Sequence, residues 1–142
     1  MTERSFIARA ATALAVFAAL AAVGVGGCGK SGGASTPEAA AKDFVAALQA
    51  GDYAKAADMM AWDDIARQQN PDWDSIPSSQ RSLIVGKLKE QMQGTLSQLS
   101  GRVQGAQVSG VSASGDTAQA TAGSLTIILK KTPNGWKVLS AR

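Results

Sequence analysis

Histidine is missing altogether, and cysteine occurs once, at Cys28. The first absence removes the commonest general base, the Ser-His-Asp triad and the usual imidazole-rich zinc sites. The second rules out an intramolecular disulfide and any cluster of thiolate ligands. Aromatic side chains make up 5% of the chain, too few for a broad platform on which nucleic-acid bases could stack. An excess of one charge is lacking too. The net charge is +3, and part of it comes from Arg4 and Arg9 outweighing Glu3 near the start. Such a balance describes an ordinary solvated surface and points to no nucleic-acid partner. With 142 residues the sequence is one domain's worth, large enough to bury roughly two-thirds of its unfolded surface without a disulfide or a structural metal.

What the chain does have is a distinctive beginning. Arg4 and Arg9 form a charged stretch, and Ala10 to Val25 then run apolar, broken only by Thr12 and Gly24. The run falls short of the ~20 residues of a spanning helix and fits the apolar region of a secretory signal peptide. Val25-Gly26-Gly27-Cys28 follows, which resembles the bacterial lipobox: an aliphatic residue, two small ones and a cysteine. The resemblance implies diacylglycerol on the Cys28 thiol and cleavage just before it. Small residues let the backbone enter a peptidase, and the thiolate is the nucleophile that takes the lipid. Two or three acyl chains anchor stably where one does not. The expected organisation is a signal peptide over 1–27, a lipidated Cys28 with a flexible tether over 28–35, and one domain over 36–142. Gly29 stands where many bacteria place an inner-membrane retention aspartate, so in a host with two membranes the outer one is expected.

The same stretch also satisfies a nucleotide-binding pattern. Gly24 to Ser31 reads G-x-x-x-x-G-K-S, whose backbone N–H groups would cradle phosphates. Its setting argues against that role. An alanine-rich run precedes it in place of a short β-branched strand, and Gly32-Gly33-Ala34-Ser35 follows in place of a helix start. No later apolar strand ends in an aspartate to hold magnesium.

Along 36–142 the hydrophobic period divides the chain in two. Thr36 is an N-cap, Pro37 opens a helix, and Ala40, Phe44, Ala47 and Leu48 share its apolar face, with Gly51 as the stop. Asp52 caps a second helix with Tyr53, Ala56, Ala57 and Met60 on one side. Trp62 to Gln69 can continue helical, and Asn70 to Pro77 reads as a loop. Ser78 opens a long helix with a stripe of Ile84, Leu88, Met92, Leu96 and Leu99, in which Gly86 and Gly94 suggest close packing or a bend. From Arg102 the period becomes two. Ser114-Gly115-Asp116 and Pro133-Asn134-Gly135 mark hairpin turns, and parity slips at Ser109-Gly110 and Gly123-Ser124 predict a β-bulge near each glycine. Helices followed by an antiparallel meander predict an α+β fold, with N-terminal helices packed on one face of a curved sheet.

This order resembles the nuclear transport factor 2-like (cystatin-like) superfamily. The segments that carry the resemblance are TPEAAAKDFVAALQAGDYAKAADMM at the opening and GDTAQATAG…LTIILKKTPNGWKVLSAR at the end. It is similar in particular to small bacterial lipoproteins carrying such a domain of unknown function, and it implies a cone-like fold. Enzymes of the superfamily place Asp, His or Tyr inside the cone. Here there is no His, and Tyr53 falls on an apolar stripe, so no catalytic residue carries over.

Three groups are candidate sites. Trp62, Trp73 and Trp136 would line an apolar ligand pocket, against the commoner role of tryptophan as buried mass. Asp63, Asp64, Asp72 and Asp74 offer oxygen ligands for a hard cation or a general acid/base pair, but their spacing is not that of a calcium loop and no nucleophile accompanies them. Lys130 and Lys131 read as exposed charges at a strand end that discourage edge pairing. The function expected is a non-catalytic, membrane-anchored envelope module that binds a small apolar ligand or an envelope protein, with no cofactor and no metal. The alternatives are a small isomerase- or hydratase-type enzyme on the same fold and, more remotely, nucleotide binding at 24–31.

Overall fold

The computed structural model describes residues 33–142. The expected signal peptide, the lipidated Cys28 and the nucleotide-binding pattern therefore lie outside the described residues. Those residues form an α+β domain in which helices are followed by a four-stranded antiparallel open sheet.

Helix α1, Pro37–Gln49, begins where its cap requires. Thr36 is extended, and its Oγ1 accepts the Ala39 N–H at 3.1 Å. The helix ends in a left-handed turn at Gly51, φ 73°. There the Gly51 N–H donates to Leu48 and the Asp52 N–H to Ala47, which satisfies carbonyls the helix leaves unpaired. Asp52 then caps α2, Tyr53–Asp58, through a bond from the Lys55 N–H. One residue thus closes one helix and opens the next, and α1 and α2 meet at a fixed corner.

After α2 the chain touches the sheet before it turns helical again. Met60 bridges Val138 in parallel, with Val138 N–H donating to Met59 and Ala61 N–H donating to Val138. That backbone pairing interrupts the helical period, so Trp62–Gln69 is a separate helix, α3. The 70–77 loop contains a 3-10 turn, Trp73–Ser75. No strand forms between Trp62 and Pro77.

Helix α4, Ser78–Ser100, lies against α1 and α2. Its inward residues are Val85, Leu88, Met92, Leu96 and Leu99. The expected Ile84 is 38% exposed, because Val85 takes the inward position on that turn. Nothing lies within 4 Å of where a Cβ would sit on Gly86 or Gly94, so neither glycine serves close packing.

The sheet consists of β1 Val108–Ser114, β2 Thr117–Ala122, β3 Leu125–Thr132 and β4 Gly135–Ala141, hydrogen-bonded in sequence order. The bulge expected at Gly110 is present as a register shift between Ser109 and Ser112, with Gly110 at φ 59°. The second expected bulge is not at Gly123. Gly123-Ser124 is the two-residue loop of a hairpin that pairs Ala122 with Leu125, so one expected strand is two. A slip of parity reads the same whether the chain bulges or reverses. A second register shift does exist, between Ile128 and Leu129 in the β3–β4 pairing. The expectation for Lys130 and Lys131 as edge guards also fails, since β3 is paired on both sides.

Helix α1 runs over all four strands, and the core lies between them. Phe44, Leu48, Leu125, Ile127, Leu129 and Val138 are fully buried there, beside the alanines Ala118, Ala120 and Ala122. Small side chains on β2 allow α1 to approach the sheet closely. The link from α4 to β1 is held by Gln49, whose Nε2 donates to the carbonyls of Val103 and Ala106 at 2.6 and 2.8 Å.

Candidate functional site

The three tryptophans do not meet around one cavity. Trp62 is 8% exposed and donates its Nε1–H to the Ala57 carbonyl at 2.7 Å. Trp136 packs in the same core, and its backbone N–H donates to the Ala34 carbonyl. Trp73 is buried outside that cluster and donates Nε1–H to Asp63 Oδ1 at 3.0 Å. Each indole is packed mass with its polar handle satisfied where one is needed. The four aspartates do not form a metal site either, and Asp64 and Asp74 both lie within 4 Å of Arg67. Among the described residues no group of three potential metal ligands converges. Asp63 serves Trp73, Asp64 accepts from Lys130 Nζ at 2.6 Å, and Asp74 is bonded to Arg67. Tyr53 is half-buried, its hydroxyl 3.1 Å from Ser100 Oγ in the α2–α4 contact.

A different feature presents itself as a site. A cleft of about 660 Å³ opens between the start of α3, the first turns of α4 and the β3–β4 turn. Helix α3 contributes Trp62, Asp63, Asp64 and Arg67, and α4 contributes Ser78, Arg81, Ser82, Val85 and Lys89. Thr132, Pro133 and Asn134 form its rim, and Lys137 reaches in from β4. Of the tryptophans only Trp62 lines it. The α2–α3 junction is fixed to β4 by the Met60–Val138 bridge, so the acidic and basic residues of α3 stand against the Lys-bearing strands.

Ion pairs organise the walls. Arg67 grips Asp74 with two nitrogens, Nε to Oδ2 at 2.9 Å and Nη2 to Oδ1 at 2.9 Å. The bond from Arg67 holds the Asp74 carboxyl below its ordinary value, and the same bond raises Arg67 above its own. Lys89 Nζ lies 2.7 Å from Asp58, and Lys130 Nζ bonds Asp64, whose side chain is 16% exposed. An aspartate shielded from water, which the enzyme alternative requires, has its nearest counterpart in Asp64, and that group is committed to Lys130. Arg81 is less well served. Its Nη1 is 3.8 Å from Asp74 Oδ1, beyond hydrogen-bond range, and its Nε is buried with no partner.

Four cations, Arg67, Arg81, Lys89 and Lys137, line the cleft against two carboxylates, Asp63 and Asp64. Its chemistry suits an acceptor-rich ligand better than the apolar ligand the tryptophans suggested. Sequence reasoning missed Arg67, Arg81, Lys89 and Lys137 because tertiary contact alone gathers them. The one local hint is Arg81 and Lys89, two helical turns apart and so on one face of α4. No protein-family model, curated protein or solved structure matches this chain.

Proposed function

We propose that this chain is an exported bacterial lipoprotein, fastened to a membrane by acyl chains on Cys28, whose 36–142 domain is a non-catalytic binding module. The observation that carries the reading is Val25-Gly26-Gly27-Cys28, placed after a charged and then apolar leader and containing the chain's one cysteine. The binding role rests on the cleft, where Arg67, Arg81, Lys89 and Lys137 line the walls together with Asp63, Asp64 and the hydroxyls of Ser78, Ser82 and Thr132. Among the described residues no helix is long and apolar enough to cross a membrane. The nuclear transport factor 2-like, cone-like fold is part of the proposal. It is supported by the helix–Gly-Asp-Tyr–helix corner, the later antiparallel meander and the Pro-Asn-Gly-Trp turn into the last strand. In a host with two membranes, Gly29 favours the outer one.

Intact mass and metabolic lipid labelling of the wild type and Cys28→Ser test the proposal. The wild type is expected to start at Cys28, carry label and fractionate with membranes, and the mutant to lose all three. A mature protein that is unacylated and retains residues 1–27 overturns it.

A further inference from the structure

We infer that the cleft binds a phosphate group, and that at the membrane this is the phosphate of an anionic lipid headgroup. The acids in its lining are already engaged. Asp63 accepts from Trp73, and Asp64 from Lys130. Two cations are less well matched, and Arg81 has only an ion pair with Asp74 at 3.8 Å, beyond hydrogen-bond range. Arg81 Nε is buried without an acceptor, and among the described residues Lys137 has no carboxylate within ion-pair distance. Lys137 also lies directly opposite Lys130 in the β3–β4 ladder, a like-charge pair that is unfavourable unless an anion stands near both. Asp64 provides that anion to Lys130 only. A tetrahedral oxyanion would accept from the Arg81 guanidinium in its planar fork and from the Lys137 ammonium, completing what the protein leaves unpaired.

The place where the chain enters the domain identifies the source of the phosphate, and this step rests on the anchoring proposed above. Gly33 N–H donates to the Asn134 carbonyl, and Ala34 bridges Trp136. The first contact falls on the β3–β4 turn and the second at the start of β4, beside Thr132, Pro133 and Asn134, which line the cleft. From Cys28 to Gly33 the chain can span at most about 18 Å. Acyl chains on Cys28 would hold the rim within that distance of the headgroups.

The test uses the lipid-modified protein in nanodiscs of phosphatidylcholine alone, or of equal parts phosphatidylcholine and phosphatidylglycerol. The readout is the Arg81 Nε–H resonance, assigned by its loss in Arg81→Gln. Inorganic phosphate added to the phosphatidylcholine discs is expected to shift it saturably, with affinity lowered roughly tenfold in Lys137→Gln. Phosphatidylglycerol discs are expected to reproduce the shift without phosphate. Lys55→Gln, an exposed lysine outside the cleft, should leave both responses unchanged. A response to phosphate with none to phosphatidylglycerol overturns the headgroup assignment and leaves a site for free phosphate. No response to either overturns the whole inference. Intact mass reports acylation separately: an unacylated chain defeats the anchoring, while the same phosphate titration in buffer still decides the cleft.

Discussion

Asp74 shows how much one exposed ion pair does here. Its carboxylate takes a bidentate grip from Arg67, yet both side chains are largely in water. The pair sets a titration more than it sets stability. Because the folded carboxyl lies below its unfolded value, its stabilisation is fully present above the ordinary aspartate range. It is lost as pH falls through the lowered value. A carbon-detected NMR titration should find the Asp74 midpoint below that of a free aspartate, and Arg67→Gln should raise it. An unchanged midpoint in the variant would show that Arg67 does not hold Asp74 in solution. Arg81 sits at the opposite extreme, with a buried Nε–H that the protein does not satisfy. Neither residue is conspicuous in the sequence, since an arginine seven residues before or after an aspartate has no local meaning.

At the level of elements, glycine separates turn chemistry from mere tolerance. Gly123 is at φ 59°, and a Cβ there would stand 3.0 Å from the Arg102 carbonyl and 3.2 Å from Ala106 Cβ. Gly123→Ala should destabilise the domain by about 1–2 kcal/mol. Gly86 is helical, exposed and has open space around its Cα. Gly86→Ala should therefore stabilise by about 1 kcal/mol. Urea unfolding of both variants checks the pair, and equal signs would contradict the assigned roles. Helix boundaries were legible because caps are local: Thr36, Pro37 and Gly51 act within a few residues of themselves. The hairpin at Gly123-Ser124 was less legible, because bulge and turn leave the same break in alternation.

For the whole molecule, the entry of the chain matters most. Gly33 packs against the backbone of Gly135 and Trp136 so closely that a Cβ there forces a shift. Gly33→Ala should release this strap while the core stays intact. The expected sign is faster hydrogen exchange at the Trp136 amide, which donates to Ala34, with little change in the overall unfolding midpoint. Unaltered exchange would mean that the strap is not held there. The strap, the Met60–Val138 bridge and the Lys130–Asp64 bond all converge on β3 and β4, so residues 33 and 34, the cleft and the sheet form one mechanical unit.

The sequence by itself determined the order of helices and strands, the caps and most of the turns, because periodicity and capping act within a single turn or hairpin. It also determined the excluded chemistries, since a residue type that is missing cannot be supplied by folding. It displayed Val25-Gly26-Gly27-Cys28 as a contiguous stretch after an apolar run. Only the tertiary structure decided that the tryptophans disperse, that Asp63, Asp64 and Asp74 are taken by Trp73, Lys130 and Arg67, and that Arg67, Arg81, Lys89 and Lys137 share a cleft. Those residues come from two helices and a strand, and apart from the spacing of Arg81 and Lys89 on α4 nothing along the chain marks them as neighbours until packing fixes where each element lies.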